Sequence, residues 1–271
     1  MKKALVAALA AATFLAPACA IAQAGGESGD ARILAAREAL RKGDTDTLER
    51  LAAVREAHPL DAYPRYWLLV NRLARGDEAV PVAALQAFLA EEAGSNLAER
   101  LRADWLRRLA RDGDWGGFLD VYADLRNPDA ELRCNAWSAR VLTGERTVFA
   151  ELASEWDALA DAHPACDTPL RAAVDAGAVD EDRVWWRIRR QIDTRKPEAA
   201  LASLSLLPAA SAPARADLEQ AIRSPAPWLD RLPPNFAVAR AGRELALAAL
   251  VRLAREDVSA ARLRLLRIQD R

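Results

Sequence analysis

Residues 96–115 read NLAERLRADWLRRLARDGDW. Leu97, Leu101, Trp105 and Leu109 recur every four residues, and Ala98 and Leu106 widen the same stripe. In an α-helix this spacing gathers the apolar side chains on one face. Arg100, Arg102, Arg107, Arg108 and Arg111 fall mainly on the remaining surface, which reads as a solvated face. Asn96 followed by Glu99 has the form of a capping box. Gly113-Asp114 then supplies a stop and a restart. Glycine takes the left-handed conformation that closes one helix, and the acid suits the start of the next. Trp115 opens that next helix and is expected to pack across the turn. The stretch is a helical hairpin.

The same punctuation recurs. RKGDTDTL (41–48) carries Gly43-Asp44, ARGDEAV (74–80) carries Gly76-Asp77 and LTGERTVF (142–149) carries Gly144-Glu145. With Gly113-Asp114 in place, the spacings are 33, 37 and 31 residues. A lone hairpin cannot bury its apolar face, so a repeat of this length implies hairpins stacked on their neighbours. After Ala150 the period loosens into the proline-rich breaks AHPACDTP, LPAASAPA and SPAPWLDRLPPN, with helices expected near 180–193, 197–206, 214–223 and 237–255. Strand signals are nearly absent. The expected fold is all-α, a right-handed superhelix or solenoid of stacked, TPR-like helical hairpins over residues 31–271. No convincing boundary separates a second domain.

The first 24 residues, MKKALVAALAAATFLAPACAIAQA, have the build of a secretory signal: Lys2 and Lys3, an apolar run from Ala4 to Leu15, and a small-residue site at Ala22-Gln23-Ala24 or Ala20-Ile21-Ala22. The apolar run is too short to span a bilayer. Ala16-Pro17-Ala18 is a poor lead-in for lipid attachment at Cys19. GGESGD (25–30) follows as a flexible spacer. Export leaves Cys134 and Cys166 in an oxidising compartment, where a bridge is favoured. It would close a loop of 32 residues, for which the chain-entropy model gives roughly 3–4 kcal/mol. The alternative is two buried free thiols on separate helices.

Chemistry-bearing patterns are sparse. The 38 basic and 39 acidic residues nearly cancel, which argues against a polyanion-binding tail and against nucleic acid as a partner. His58 and His163 each precede a proline where a helix stops, and read as turn residues rather than bases. No glycine-rich phosphate loop, nucleophile elbow or metal-ligand spacing is present, so no cofactor and no metal is expected. Carboxylates are plentiful and a glycosidase needs two, yet no pair stands out, and Glu27-Ser28 lies in the spacer. Trp67, Trp105, Trp137 and Trp156 fall at helical spacing among leucines and alanines, as core residues do. Trp185 and Trp186 are adjacent and cannot both face inward. Trp186, and Trp228 in the proline-rich loop, are therefore candidate surface contacts for a glycan.

Several segments resemble the N-terminal superhelical region of the soluble lytic murein transglycosylases, bacterial periplasmic enzymes of cell-wall turnover. They are HPLDAYPRYWLL (58–69), SNLAERLRADWLRRLARDGDWGGFLDVY (95–122), AELRCNAWSARVLTG (130–144), ACDTPL (165–170) and DRVWWRIRRQI (182–192). The match runs in order through most of the chain and weakens after about Leu207. The resemblance implies a U- or ring-shaped helical superstructure, a disulfide between Cys134 and Cys166, and a periplasmic location in a Gram-negative bacterium. It also implies a C-terminal lysozyme-like domain that cleaves the β-1,4 bond between N-acetylmuramic acid and N-acetylglucosamine without water, leaving a 1,6-anhydro end. The glutamate of that chemistry lies in an E-S motif followed by G-L-M-Q, and no such pair occurs here, so no catalytic residue carries over. In the last helix, near 258–269, Val258, Leu263, Leu265, Leu266 and Ile268 are apolar and no polar capping repeat follows. The expectation is the front part of a longer peptidoglycan-cleaving protein, its partners being glycan strands and its own catalytic domain. A free-standing periplasmic adaptor without catalysis is the alternative.

Overall fold

The computed structural model describes residues 21–75, 80–160 and 163–269. Most of the signal segment and the Gly76-Asp77 turn lie outside them. The described residues form fifteen α-helices and two short 3₁₀ turns, with no strand among them. They divide into two compact units, one ending at Arg108 and one spanning Leu109–Arg271. No boundary is legible in the sequence because the division falls inside a helix, where no proline, glycine or charge run marks it.

The first unit contains α1 (Ile21–Lys42), α2 (Thr45–Ala52), α3 (Ala62–Arg75), α4 (Val82–Glu91) and most of α5 (Asn96–Asp112). Helix α1 runs through residues 25–30, where the glycines had suggested a spacer. Gly29 is there for a close approach: a Cβ on it would stand 3.0 Å from His58 Cδ2. Ala36, Ala39 and Leu48 form a buried cluster against which Leu40, Leu51, Trp67 and Leu68 pack. Arg32 is buried with them. Its guanidinium donates to the Leu51 and Val54 carbonyls at 3.2 and 3.1 Å and pairs with Asp61, which ties the end of α2 to the segment entering α3. In α5 the stripe is where the spacing put it: Leu97, Ala98, Leu101, Trp105 and Leu106 are buried. Two details differ from expectation. Ser95, not Asn96, caps the helix, its hydroxyl accepting the Ala98 N–H at 3.1 Å. Arg102 and Arg107 are not free in solvent but half-buried, paired with Glu99 at 2.9 Å and Asp104 at 3.5 Å.

The second unit takes the chain from Leu109 through α6 (Trp115–Tyr122), α7 (Ala130–Leu142), α8 (Val148–Glu155), α9 (Asp167–Asp175), α10 (Glu181–Asp193), α11 (Pro197–Ser203), α12 (Arg215–Arg223), α13 (Pro225–Asp230), α14 (Arg240–Ala254) and α15 (Val258–Ile268). Trp115 opens α6 half-buried, 6.1 Å from the ring of Phe118 in the same helix. One large core joins α7 to α12 and α14, and among its buried residues are Trp137, Trp156, Trp185, Leu152 and Leu170. A smaller one gathers Leu229, Leu232, Ala249, Leu253 and Ile268. Trp228, expected in a loop, lies in the six-residue helix α13, because Pro225 occupies the first turn, where its missing N–H costs nothing. Helix α15 leaves Val258, Leu263, Leu265 and Leu266 exposed.

One turn recurs in the described chain. At Gly43, Gly113, Gly144, Gly177 and Arg195, one or two residues beyond the end of a helix, φ is 71°, 74°, 90°, 72° and 61°. In each case its N–H reaches back three residues, and the next N–H reaches back five, as from Gly113 to Ala110 and from Asp114 to Leu109. This is the Schellman closure of a helix. Glycine takes it freely, whereas a side chain in the left-handed region costs roughly 1–2 kcal/mol. Asp44 and Asp114 then cap the following helices, accepting N–H bonds from Thr47 and Gly117 at 3.0 Å each.

Two stability measurements check this account by chemical denaturation. Trp105→Ala should cost about 3–5 kcal/mol, as for a buried aromatic, and Gly113→Ala about 1–2 kcal/mol through backbone strain alone.

Candidate functional site

The second unit is built around a covalent anchor. Cys134 on α7 and Cys166, at the end of the 3₁₀ turn Pro164–Cys166, are bridged, their Cα atoms 4.7 Å apart and both side chains buried in the large core. The bridge holds the proline-rich break after α8 against α7. His163 also serves that break: its Nδ1 accepts the Ala165 N–H at 3.2 Å. His58 does the same in the first unit, accepting the Leu60 N–H at 3.0 Å while its Nε2 faces Asp30 at 2.9 Å. In both His-Pro pairs the proline has no N–H, so the imidazole bonds to the first available amide beyond it.

Trp137 and Trp156 are core residues, and Trp185 on α10 is buried with its Nε1 donating to Glu181 at 3.1 Å. Its neighbour Trp186 is 36% exposed. Asp182 and Arg189 lie one helical turn away on either side of Trp186, and both are tied to α14. Arg240 pairs with Asp182, and Arg189 donates to both Glu244 oxygens at 2.7 Å. The indole is thus partly open to solvent, with an interhelical ion pair one turn away on either side. Trp228 offers less, since it is half-buried between the two cores of this unit.

The carboxylates whose pKa values are clearly displaced are held as anions. Arg140 donates to Glu145 at 2.8 and 3.0 Å and to Glu151 at 2.6 Å, while Trp137 Nε1 and Thr147 Oγ1 complete the cluster at 2.7 and 2.6 Å. The bond from Arg140, followed by that from Thr147, pulls Glu145 down to about 2. Burial works against ionisation of Glu151, but the bonds from Trp137 and Arg140 outweigh it and lower this carboxyl too. Glu38, Asp44, Asp61 and Glu91 are likewise displaced downward, and none of the clearly displaced carboxylates among the described residues is displaced up. A general acid for glycoside cleavage has to stay protonated near neutral pH, so these groups are structural anions. Among the described residues no cluster of three His, Cys, Asp or Glu side chains could hold a metal ion. No described helix is long and apolar enough to cross a membrane.

No protein-family model matches the chain, and no curated protein matches it. Solved structures do. The 70 kDa soluble lytic transglycosylase from Escherichia coli matches at 20% identity with a TM-score of 0.63, covering 90% of this chain and 39% of that one. The complex of the 70-kDa soluble lytic transglycosylase with bulgecin A matches at 21% identity with a TM-score of 0.66 and the same coverage. The fold is that of the transglycosylase's helical superhelix. The chain therefore spans about two-fifths of the length of the proteins it resembles.

Some of this was hidden in the sequence. The turns at Gly177 and Arg195 were missed, because Gly177 lacks an acid directly after it and Arg195 lacks glycine. The capping acid was displaced instead: Asp180 caps α10 three residues beyond Gly177.

Two results are expected. Glu145→Gln should lower the melting temperature at neutral pH. The pKa of Glu145 is lowered on folding, so its contribution is present above the ordinary carboxylate value of 4.5 and lost as pH falls toward 2, where variant and parent should melt alike. Cys134 and Cys166 should resist alkylation until a reductant is added, and reduction should destabilise the chain by roughly 3–4 kcal/mol.

Proposed function

We propose that this chain is the non-catalytic helical scaffold of a peptidoglycan lytic transglycosylase, exported to the periplasm, and that it helps to hold glycan strands for cleavage by a catalytic domain outside these residues. The observation that carries the reading is the likeness, over 90% of the chain, to the helical superhelix of a soluble lytic transglycosylase. The carboxylates support the non-catalytic part, since those with clearly displaced pKa values are stabilised as anions. Trp186, open on α10 between two ion pairs, is the proposed stacking face for a sugar ring.

Sedimentation with purified sacculi tests this. The purified chain should co-sediment with insoluble peptidoglycan and release no 1,6-anhydromuropeptides detectable by mass spectrometry. Trp186→Ala should weaken retention by up to about tenfold, the equivalent of ~1.4 kcal/mol. A chain that stays in the supernatant would refute wall binding, and anhydromuropeptide release would refute the non-catalytic assignment.

A further inference from the structure

Of the five left-handed helix closures, four are glycine and one is arginine. Arg195 is the one non-glycine residue with positive φ among the described residues. The turn itself does not call for a side chain there, since Gly113 and Gly144 close their helices with the same pair of backbone bonds. An outlier of this kind calls for a use of the side chain. Arg195 lines a cavity of about 600 Å³ formed by α10, α11, α12 and α14.

The floor of that cavity is apolar, made by Ile192, Leu201 and Ile222. Its rim carries Arg195, Arg223, Arg252 and Arg255. Three of these guanidiniums are already committed: Arg223 to Glu219 at 2.5 Å, Arg252 to Glu256 at 3.0 Å, and Arg255 to Asp193 at 3.1 Å. Glu198, also on the rim, is paired with Arg215 at 3.1 Å. Arg195 has no ion-pair partner among the described residues. The cavity thus combines one uncommitted guanidinium, a rim whose other charges are balanced, and a floor that accepts alkyl groups. A carboxylate can take two parallel N–H bonds from a guanidinium, and small apolar side chains beside it would cover the floor.

We propose that this cavity binds the carboxylate end of a short peptide, with Arg195 as its anchor and Ile192, Leu201 and Ile222 receiving the adjoining alkyl side chain. The choice of peptide rests on the proposed function: the short peptides of peptidoglycan, which end in alanine, belong to this chemical class. Inorganic phosphate shares the anionic chemistry but has nothing for the apolar floor.

The test is a calorimetric titration of the full chain with the tetrapeptide L-Ala-D-Glu-diaminopimelate-D-Ala, with its C-terminal amide, and with inorganic phosphate. The free acid should bind at least about tenfold more tightly than either of the others. Arg195→Gly should reduce that binding about tenfold while raising the melting temperature, because glycine relaxes the turn, so the loss cannot be blamed on unfolding. Equal affinity for acid and amide, phosphate binding as tight as the peptide, or a variant that binds like the parent would overturn the proposal. If parent and variant sediment alike with sacculi and neither titrates with peptide, the cavity assignment fails while wall binding stands. Peptide binding lost in Arg195→Gly, without sedimentation of either protein, upholds the cavity and removes the wall-binding function.

Discussion

The structure depends on ending helices abruptly and reversing the chain without wasting hydrogen bonds. A helix leaves its last four carbonyls unpaired, and in a stack of short helices that deficit recurs every dozen or so residues. The left-handed residue after the helix resolves it by returning two N–H groups to those carbonyls. Five of the described helices use this closure, at Gly43, Gly113, Gly144, Gly177 and Arg195. Once these turns are set, the apolar stripes on the helices between them have neighbours to pack against, and the cores follow.

Where the chain lacks this device, buried arginine takes its place. Arg32 in the first unit donates to the Leu51 and Val54 carbonyls at the end of α2. Arg187 in the second is 4% exposed, bonds to the Leu159 carbonyl and to Ser203 Oγ at 3.3 Å, and lies 5.5 Å over the Trp156 ring. A guanidinium has five donors in a rigid fork, so one side chain can satisfy several carbonyls of an irregular segment at once. Removing a charge that is buried and bonded in this way leaves its partners unsatisfied.

Periodicity made α5 legible nearly to the residue, because the buried stripe Leu97, Leu101, Trp105 depends only on local spacing. Glycine–acid pairs made three of the described turns legible for the same reason. The structural arginines were not legible. Arg32, Arg102 and Arg187 have the composition of solvated residues, and their burial is decided by carbonyls and acids distant in the chain or on the adjacent turn. The helix through residues 25–30 was also hidden, since the need for Gly29 arises from His58, far along the sequence. Of the candidate surface residues, the adjacency of Trp185 and Trp186 forced one of them outward, and that logic needed no tertiary knowledge. The cavity at Arg195 had no such signal, because four helices meet there and its anchor stands where glycine was the expected letter.

Function in such a fold is a matter of which side chains the scaffold holds open, and the proposals above rest on two of them, the 36% exposed Trp186 and the left-handed Arg195. All of this requires that the helices close as described. Amide hydrogen exchange reads that directly. The N–H groups of Asp44, Asp114, Glu145, Ala178 and Lys196, each bonded five residues back, should exchange at least about tenfold more slowly than unbonded exposed amides. Exchange of these five amides at the rate of open loop positions would contradict the account.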